Sequence, residues 1–268
     1  MTSSLSFSRR LAAFVKAYPV AAIESAVVVE FLAHHEKMTR NLLLCEVLAP
    51  IQVDPAAFTS VRAALVELVP DLDLDMALRI FEQAIPVGDR DLNGAIYTPR
   101  HIADFICARA IGDPAANAID PSCGAGAFLL AIVRRLMDLN GSNGNLVPVG
   151  DIIEHQVIGR DILPYSIRHA RILLALLACE AGDDRESFID RLTVGDSLDP
   201  EWAAAIISGG GADVVVGNPP YVRFQELPIS VREHLSAWQT TSAGNFNLYF
   251  AFFELGLHLL SADGTVPD

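Results

Sequence analysis

The sequence predicts an α/β protein, with a mostly parallel sheet preceded by an α-helical domain. Three observations lead to this prediction. Residues 1–88 carry apolar residues at helical spacing, residues 214–216 are three consecutive valines, and short apolar stretches end in an aspartate at positions 120, 161 and 196. Strand and helix patterns that alternate in this way are typical of open sheets, whose ligands bind beyond the carboxyl ends of the strands.

Residues 1–88 are predicted to form a helical N-terminal domain. Its clearest helix begins at Asp54-Pro55, a capping residue followed by a proline that suits the first turn. One buried face of that helix is formed by Phe58, Val61, Leu65 and Leu68. Other helical patterns cover residues 11–15, 22–32, 42–48 and 76–84. Packing beside the second domain and holding a partner molecule both remain open as its role.

Residues 87–91 are the predicted linker, so the second domain covers residues 89–268. It opens with Tyr97-Thr98-Pro99, in which the threonine hydroxyl suits a helix cap and the proline suits the first helical position. The helix that follows is predicted to bury Ile102, Phe105 and Ile106.

A short apolar strand is predicted to end at Asp120 and to lead into a glycine-rich turn. The turn contains Cys123-Gly124-Ala125-Gly126, and a helical apolar pattern follows it. Glycines there let the backbone approach a ligand closely. The turn lacks the Gly-Lys-Ser/Thr of a phosphate-binding loop, and by itself it is weak evidence of a ligand.

Two further strands are predicted to end in aspartates. Residues 157–160 lead into Asp161-Ile162, and Pro164 then suits the first turn of a helix. The buried face of this helix is predicted to contain Ile167, Ala170, Leu174 and Leu177. The Asp161 carboxylate is suited either to accept the hydroxyls of a ribose or to cap the following helix. Asp196-Ser197 follows the next strand. The Asp196 carboxylate is suited to accept a hydrogen bond from an adenine amine, or it is an ordinary aspartate of a turn.

The most informative stretch is the valine run followed by Gly217-Asn218-Pro219-Pro220-Tyr221. Three β-branched residues without polar alternation predict a strand that is covered on both faces. Two prolines then remove two backbone donors, so the sheet cannot continue. An amide side chain and an aromatic ring therefore lie at the carboxyl end of a buried strand.

In this order the motifs resemble those of N6-adenine DNA methyltransferases of restriction–modification systems, in the class whose cofactor motifs precede the Asn-Pro-Pro-Tyr motif. Tyr97-Thr98-Pro99 resembles the element before the cofactor motif in that class, and Asn247-Leu248-Tyr249 resembles the segment after Asn-Pro-Pro-Tyr. The resemblance covers about residue 90 to the C-terminus and implies a Rossmann-like class I methyltransferase domain.

The resemblance implies S-adenosylmethionine as cofactor and DNA as partner. It places the methionine end of the cofactor by Tyr97 and Thr98, the ammonium by Asp120, the ribose by Asp161 and the adenine amine by Asp196. The full set of implied cofactor-binding residues is Tyr97, Thr98, Asp120, Cys123, Gly124, Gly126, Asp161, Ile162, Asp196, Ser197 and Asn218. The implied catalytic residues are Asn218, Pro219, Pro220 and Tyr221.

The chemistry of an exocyclic amine explains the Asn-Pro-Pro-Tyr motif. The lone pair of this amine is conjugated into the ring, so the amine is a poor nucleophile. The Asn218 side-chain oxygen and the Pro219 carbonyl are suited to accept its two N–H groups, which positions the lone pair and stabilises developing positive charge. A base inside a duplex must be flipped out to reach them, and Tyr221 offers a ring for stacking.

Composition excludes several other classes of protein. The four cysteines show no zinc-ligand spacing, His34-His35-Glu36 is not a metalloprotease motif, and we expect no metal site. The apolar runs are too short to span a bilayer and no signal peptide is visible, so we expect a cytoplasmic protein. The formal net charge of −14 is unusual for a chain that binds DNA by itself.

The C-terminus adds a further expectation. In the family a turn such as Asp263-Gly264 is followed by another core strand and later by a recognition domain, and this sequence is expected to lack both. We therefore expect little sequence-specific DNA binding by this chain alone and a homo- or hetero-oligomeric assembly. A partner-dependent cofactor-binding subunit, and methylation of RNA or of protein glutamine at the same site, are the alternative functions.

Overall fold

The computed structural model describes residues 2–49, 55–86, 97–187, 190–227, 229, 232, 235, 238–242 and 246–265. The predicted linker at residues 87–91 and the predicted cap Asp54 lie outside these residues.

In the part of the chain that the structure describes, five helices precede the predicted linker. They are α1 (Thr2–Ala17), α2 (Val20–His34), α3 (Leu42–Leu48), α4 (Pro55–Leu68) and α5 (Leu74–Ala84). The predicted face of α4 is confirmed, because Val61, Leu65 and Leu68 are buried and Phe58 packs partly buried against the same core. Asn41 and Asp73 cap α3 and α5, each accepting a backbone N–H with its side chain.

The N-terminal helices share one hydrophobic core with the rest of the chain. Phe81 of α5 stacks on the ring of His169, at a centroid distance of 4.4 Å. The same buried cluster continues from α2 and α5 into residues that follow the linker. The division of the chain at residue 88 remains a prediction, because a shared core gives no boundary.

The second half of the chain alternates strands and helices. The strands are β1 (Ala118–Asp120), β2 (Val157–Asp161), β3 (Leu192–Val194), β4 (Ala212–Val215) and β5 (Leu260–Thr265). The helices are α6 (Arg100–Ala110), α7 (Ala127–Ser142), α8 (Val149–Gln156), α9 (Pro164–Glu180), α10 (Pro200–Ser208) and α11 (Tyr249–Leu259). All strand pairs are parallel, in the order β3-β2-β1-β4-β5, which confirms the predicted fold class.

The sheet is covered on both faces, as the valine run predicts. Val214 and Val216 belong to the core on the side of α7 and α9, whereas Val215 packs with Leu255 and Leu259 of α11 on the other side. Pro164 begins α9 as predicted, and the predicted face of that helix is buried. Neighbouring parallel strands thus bring their carboxyl ends to one edge.

The start and the buried face of α6 differ from the prediction. Pro99 occupies the capping position and its carbonyl accepts the N–H groups of Ile102 and Ala103, so the Thr98 hydroxyl is not the cap. The buried residues of α6 are the small Ala103 and Cys107, whereas Ile102 is 41% exposed and Phe105 is 61% exposed. Small residues allow α6 to pack closely against α7, which turns the larger side chains outward.

The predicted loss of a core strand near the C-terminus is wrong. Asp263-Gly264 is not a turn before a missing strand, because residues 260–265 form β5 and pair in parallel with β4. The pairing has a register shift between Ala212 and Val214, so extended backbone accommodates a sequence that is otherwise typical of a turn.

Among the described residues, no single helix is long and apolar enough to cross a membrane. Residues 6–17 of α1 and helix α2 reach that length and composition only together, and the two are bent by 118°.

Candidate active site

A cavity of about 430 Å³ lies at the carboxyl edge of the sheet. A volume of this size is typical of pockets for small molecules and cofactors. The predicted site residues that line it are Tyr97, Thr98, Asp120, Cys123, Gly124, Asp161, Ile162, Asp196, Ser197, Asn218 and Pro220. The fold therefore brings most of the predicted site residues to one cavity.

Three predicted site residues lie outside this lining: Gly126, Pro219 and Tyr221. Gly126 has a φ of 105° at the start of α7, and a Cβ on it would lie 3.2 Å from the Cβ of Ala170. The positive φ in the turn and the close approach of α9 both explain why residue 126 is a glycine. Tyr221 is 46% exposed, and its ring centroid lies 5.6 Å from that of Tyr249.

Asp120 ends β1 in the floor of the cavity. It is 1% exposed, and its Oδ1 accepts the N–H of Ser122 at 3.0 Å. Burial raises the pKa of Asp120 to about 8, against this hydrogen bond, which favours the ionised form. The hydroxyl of Ser122 is buried and has no hydrogen-bond partner among the described residues. Both groups are thus suited to a polar, positively charged ligand.

Asp161 connects two turns. Its Oδ2 accepts the N–H of Gly124 and its Oδ1 accepts the N–H of Leu163, both at 2.9 Å. Burial raises its pKa, and these two bonds oppose the shift. The carboxylate therefore fixes the glycine turn against the start of α9, whichever of its predicted ligand roles it also has.

The turn after β3 is held in a similar way. Asp196 is exposed, and its Oδ1 accepts the N–H of Leu198 at 2.9 Å. Ser197 is 3% exposed and donates its hydroxyl to the carbonyl of Pro121 at 2.6 Å. Ser197 thereby joins the β3 turn to the β1 turn, and Asp196 is presented at the rim.

Asn218 follows β4 and is joined to the segment before α6. Its Nδ2 donates to the Thr98 Oγ1 at 3.1 Å. Gly217, just before it, allows a close approach: a Cβ there would lie 2.5 Å from the Asp120 Oδ1. Downstream, the N–H of Leu248 donates to the carbonyl of Val222 at 2.8 Å. The motifs at residues 97–99 and 247–249 therefore both contact the Asn-Pro-Pro-Tyr turn or its immediate continuation.

Several lining residues were not predicted from the sequence. Two of them, Glu82 and Ile85, come from α5 and the residue after it, in the N-terminal helical region. Others are Ser122, Ser166, Leu248 and Phe252. A glutamate within the apolar pattern of α5 was the visible signal for Glu82, but its position in space depends on how α5 packs.

Outside this cavity, Asp151, Glu154 and His155 lie close enough together for their ligand atoms to share an ion. Arg185 already binds the Asp151 carboxylate at 2.6 Å and the group is largely exposed, so we assign no metal to it. The described cysteines 45, 107, 123 and 179 are all free.

Comparison with known proteins places this geometry in context. Residues 155–266 match the model of the Eco57I restriction-modification methylase family. The Type II methyltransferase M.PaeR7I of Pseudomonas aeruginosa is 31% identical over 191 residues, which cover 67% of this chain and 32% of that protein. The chain thus spans about a third of the length of this curated relative.

Solved structures with the same fold include DrdV, determined as a complex with DNA, with a TM-score of 0.61 and 14% identity over 97% of this chain and 32% of that one. A protein of Listeria monocytogenes named as a class I S-adenosylmethionine-dependent methyltransferase has a TM-score of 0.50 and 16% identity, over 97% of this chain and 72% of that one. The fold is that of the class I methyltransferases.

Proposed function

We propose, from the premise that this chain is a relative of the methyltransferases of restriction–modification systems, that it binds S-adenosylmethionine and contributes to methyl transfer onto the N6 amine of adenine in DNA. The observation that carries the proposal is the hydrogen bond between Asn218 and Thr98 beside an acidic cavity. It joins the element that would bind the amine to an element that lines the cofactor cavity.

The residues of the cavity fit this cofactor by their charge. The lining contains five carboxylic side chains and, among the described residues, no Lys, Arg or His: the carboxylic residues are Glu82, Asp120, Asp161, Asp196 and Glu226. Two of the five lie deep in the protein, where an ionised carboxylate is costly without a positive partner. A ligand with a sulfonium and an ammonium group supplies such partners, and the unpartnered Ser122 hydroxyl is a further polar contact.

When bound, S-adenosylmethionine would supply an electrophilic methyl group on its positively charged sulfur. Asp120, Asp161 and the backbone of the turn at Gly124 would hold it. Asp196 at the rim would accept from the adenine amine of the cofactor. These assignments follow the predicted roles and the position of each side chain along the cavity.

The protein's own part in the reaction is to position the target amine. The Asn218 amide nitrogen is directed to Thr98, which orients the side chain for its oxygen to accept an N–H of the target base. The Pro219 carbonyl would accept the second N–H. Two fixed acceptors stabilise positive charge as it develops on the amine nitrogen. The exposed ring of Tyr221 offers a stacking surface to a base that has left the duplex.

DNA as acceptor and adenine as target base are supported by the order of the motifs. The Tyr97-Thr98-Pro99 and Asn247-Leu248-Tyr249 elements resemble those of the adenine-specific class. A cytoplasmic location and an oligomeric assembly are further parts of the proposal, and the free cysteines are compatible with a reducing compartment.

The test is a methylation assay with radiolabelled S-adenosylmethionine on DNA, RNA and protein acceptors, followed by mass spectrometry of the product nucleosides. We expect cofactor binding by calorimetry and N6-methyladenine in DNA, if necessary only with neighbouring gene products added. A well-folded chain that binds no S-adenosylmethionine would refute the proposal. Label in RNA, protein glutamine or the N4 amine of cytosine would overturn the proposed acceptor.

A further inference from the structure

Glu82 is a buried acidic residue whose role neither the fold nor the sequence motifs explain. It lies near the end of α5, in the N-terminal helical region, and is 8% exposed. It nevertheless lines the same cavity as Asp120 and Asn218. A helix of the N-terminal region thus brings a carboxyl group to the edge of the sheet.

Among the described residues, the carboxyl group of Glu82 makes neither a hydrogen bond nor an ion pair. Arg79, one helical turn earlier, is a described basic residue whose charge acts on Glu82, but its guanidinium lies over the ring of Phe7 at 5.1 Å. Burial raises the pKa of Glu82 to about 8, and Arg79 only partly opposes the shift. An unpaired buried acid is unfavourable, which is typical of a group that is kept for a ligand.

The surroundings of Glu82 identify the end of the cavity to which it belongs. Its backbone carbonyl accepts the hydroxyl of Tyr97. The next residue, Thr98, accepts the amide of Asn218 at 3.1 Å. Glu82 therefore lies by the end where the methionine part of the cofactor and the target amine would meet, together with the buried Asp120.

A hydrogen-bond donor with positive charge would favour the ionised form of Glu82 and offset the cost of burying that charge. The ammonium group of the cofactor's amino-acid part has three N–H donors, whereas the sulfonium has none. We propose that Glu82 is a cofactor-binding residue whose carboxylate accepts a hydrogen bond from the α-ammonium group of S-adenosylmethionine, so that the N-terminal helices complete the cofactor pocket. This inference rests on the proposed function and deepens it.

The proposal is tested by calorimetry with three ligands that differ in one group at a time. S-adenosylmethionine has both positive groups, S-adenosylhomocysteine has the ammonium but a neutral sulfur, and 5′-methylthioadenosine lacks the amino-acid part. Glu82→Gln should weaken the first two by about tenfold or more, since a charge-assisted hydrogen bond is lost. It should change the affinity for 5′-methylthioadenosine by less than about twofold.

The control variant is Glu67→Gln, which removes an exposed carboxylate from the same helical region and should leave all three affinities unchanged. Glu82→Met has a side chain of similar length and no charge, and it should show the same changes in affinity as Glu82→Gln. If one of the two variants does not fold, the other still tests the proposal.

Three outcomes would overturn the role of Glu82 alone. These are an unchanged affinity for S-adenosylmethionine, an equal loss for all three ligands, and a loss for S-adenosylmethionine without one for S-adenosylhomocysteine. The second would mean that Glu82 only shapes the pocket, and the third that it faces the sulfur. If the wild-type chain binds none of the ligands, the proposed function fails as well, so the two failures are distinguishable.

Discussion

At the residue scale, the side chains of the cavity act on one another as well as on a ligand. Asp161 is the clearest case, because both of its oxygens accept backbone N–H groups from two different turns. Its removal would loosen the glycine turn even if it touched no ribose. Asn218 differs, since it follows β4 and its Nδ2 donates to the Thr98 Oγ1, and its proposed role is to hold the target amine.

Asn218→Ala should therefore abolish methyl transfer and leave the affinity for S-adenosylmethionine nearly unchanged. The variant removes one preorganised acceptor of the reacting amine, which commonly costs about 10²–10³ in rate. Single-turnover kinetics of the active assembly measure the rate, and calorimetry measures the affinity. Equal single-turnover rates for the variant and the wild type would contradict the assigned role.

Gly217→Ala should disturb Asp120. The added Cβ would lie 2.5 Å from the Asp120 Oδ1 and 3.2 Å from its Cγ, and the buried carboxyl is already held by Ser122. We expect an overpacking cost of about 1–3 kcal/mol in the free energy of unfolding and a weaker affinity for S-adenosylmethionine.

Gly112→Ala is the matched control, because a Cβ there meets no atom within 4 Å. Urea unfolding and calorimetry should show Gly112→Ala close to wild type in both quantities. If Gly217→Ala behaves like the control, the close approach of β4 to Asp120 is not present in solution.

At the element scale, helix α2 is joined to α9 by a buried charged network. Glu24 of α2 is 4% exposed; its Oε1 lies 3.0 Å from the His169 Nε2 and its Oε2 lies 2.9 Å from the Arg168 Nε. The ring of His169 is fully buried and stacks on Phe81 of α5. Helices α2, α5 and α9 therefore contact one another. Helix α9 also packs on the sheet, so it connects the N-terminal helices to the sheet.

Glu24→Ala should lower the free energy of unfolding by about 3–5 kcal/mol, because it leaves the fully buried His169 without its acceptor and removes one of the two carboxylates that bind Arg168. Glu46→Ala is the matched control: Glu46 binds the same Arg168 at 3.0 Å, but its side chain is 66% exposed. Its loss should cost less than about 1 kcal/mol. Urea denaturation at neutral pH measures both variants, and equal small losses would show that the network contributes little.

The network around Glu24 also predicts that the stability of the fold depends on pH. Burial alone would raise the pKa of Glu24, but the hydrogen bonds and charges of His169 and Arg168 outweigh it and lower the pKa. The folded-state pKa is below the unfolded value, so this contribution to stability is present above the unfolded pKa and is lost as the pH falls through the folded one.

At the scale of the whole molecule, the cavity brings together carboxyl groups that have no basic side chain beside them in the described lining. Burial raises the pKa of both Asp120 and Glu82 to about 8, and it also raises the pKa of Asp161. The net charge of −14 provides no general attraction for phosphates. The proposed cationic cofactor and the proposed DNA acceptor would therefore bind to different surfaces.

The ligand-free protein should lose thermal stability as the pH rises. The folded-state pKa values of Asp120 and Glu82 are about 8, above their ordinary values of 3.8 and 4.5. At pH values between the ordinary and the folded-state pKa, the folded state therefore binds more protons than the unfolded state. Stability therefore falls across that window and levels off above it.

Thermal unfolding between about pH 5 and pH 9 measures this effect. Saturating S-adenosylmethionine should reduce the slope, because a bound cation favours the ionised carboxylates. Glu82→Gln should reduce it without any ligand, because one of the titrating groups is removed. A melting temperature that is constant or rises from pH 5 to pH 8 would show that these carboxyls are not buried as described.

The sequence by itself determined the parallel sheet and the strand ends that line the cavity. The strand at Val214 and the strand ends at Asp120 and Asp161 were predicted correctly. A β-branched run, the proline or glycine that stops a strand, and a polar residue at the strand end are all visible in a few consecutive residues. Helices with a wide apolar face, such as α4 and α9, were predicted for the same reason.

Only the tertiary structure decided which faces meet. Helix α6 buries Ala103 and Cys107 rather than Ile102 and Phe105, because the close approach of α7 favours small residues over large ones. Residues 260–265 form a strand because β4 offers an open edge for pairing. Glu82 joins the cavity because α5 packs against α9. Each of these outcomes depends on contacts between segments far apart in the chain, which no local pattern of residues encodes.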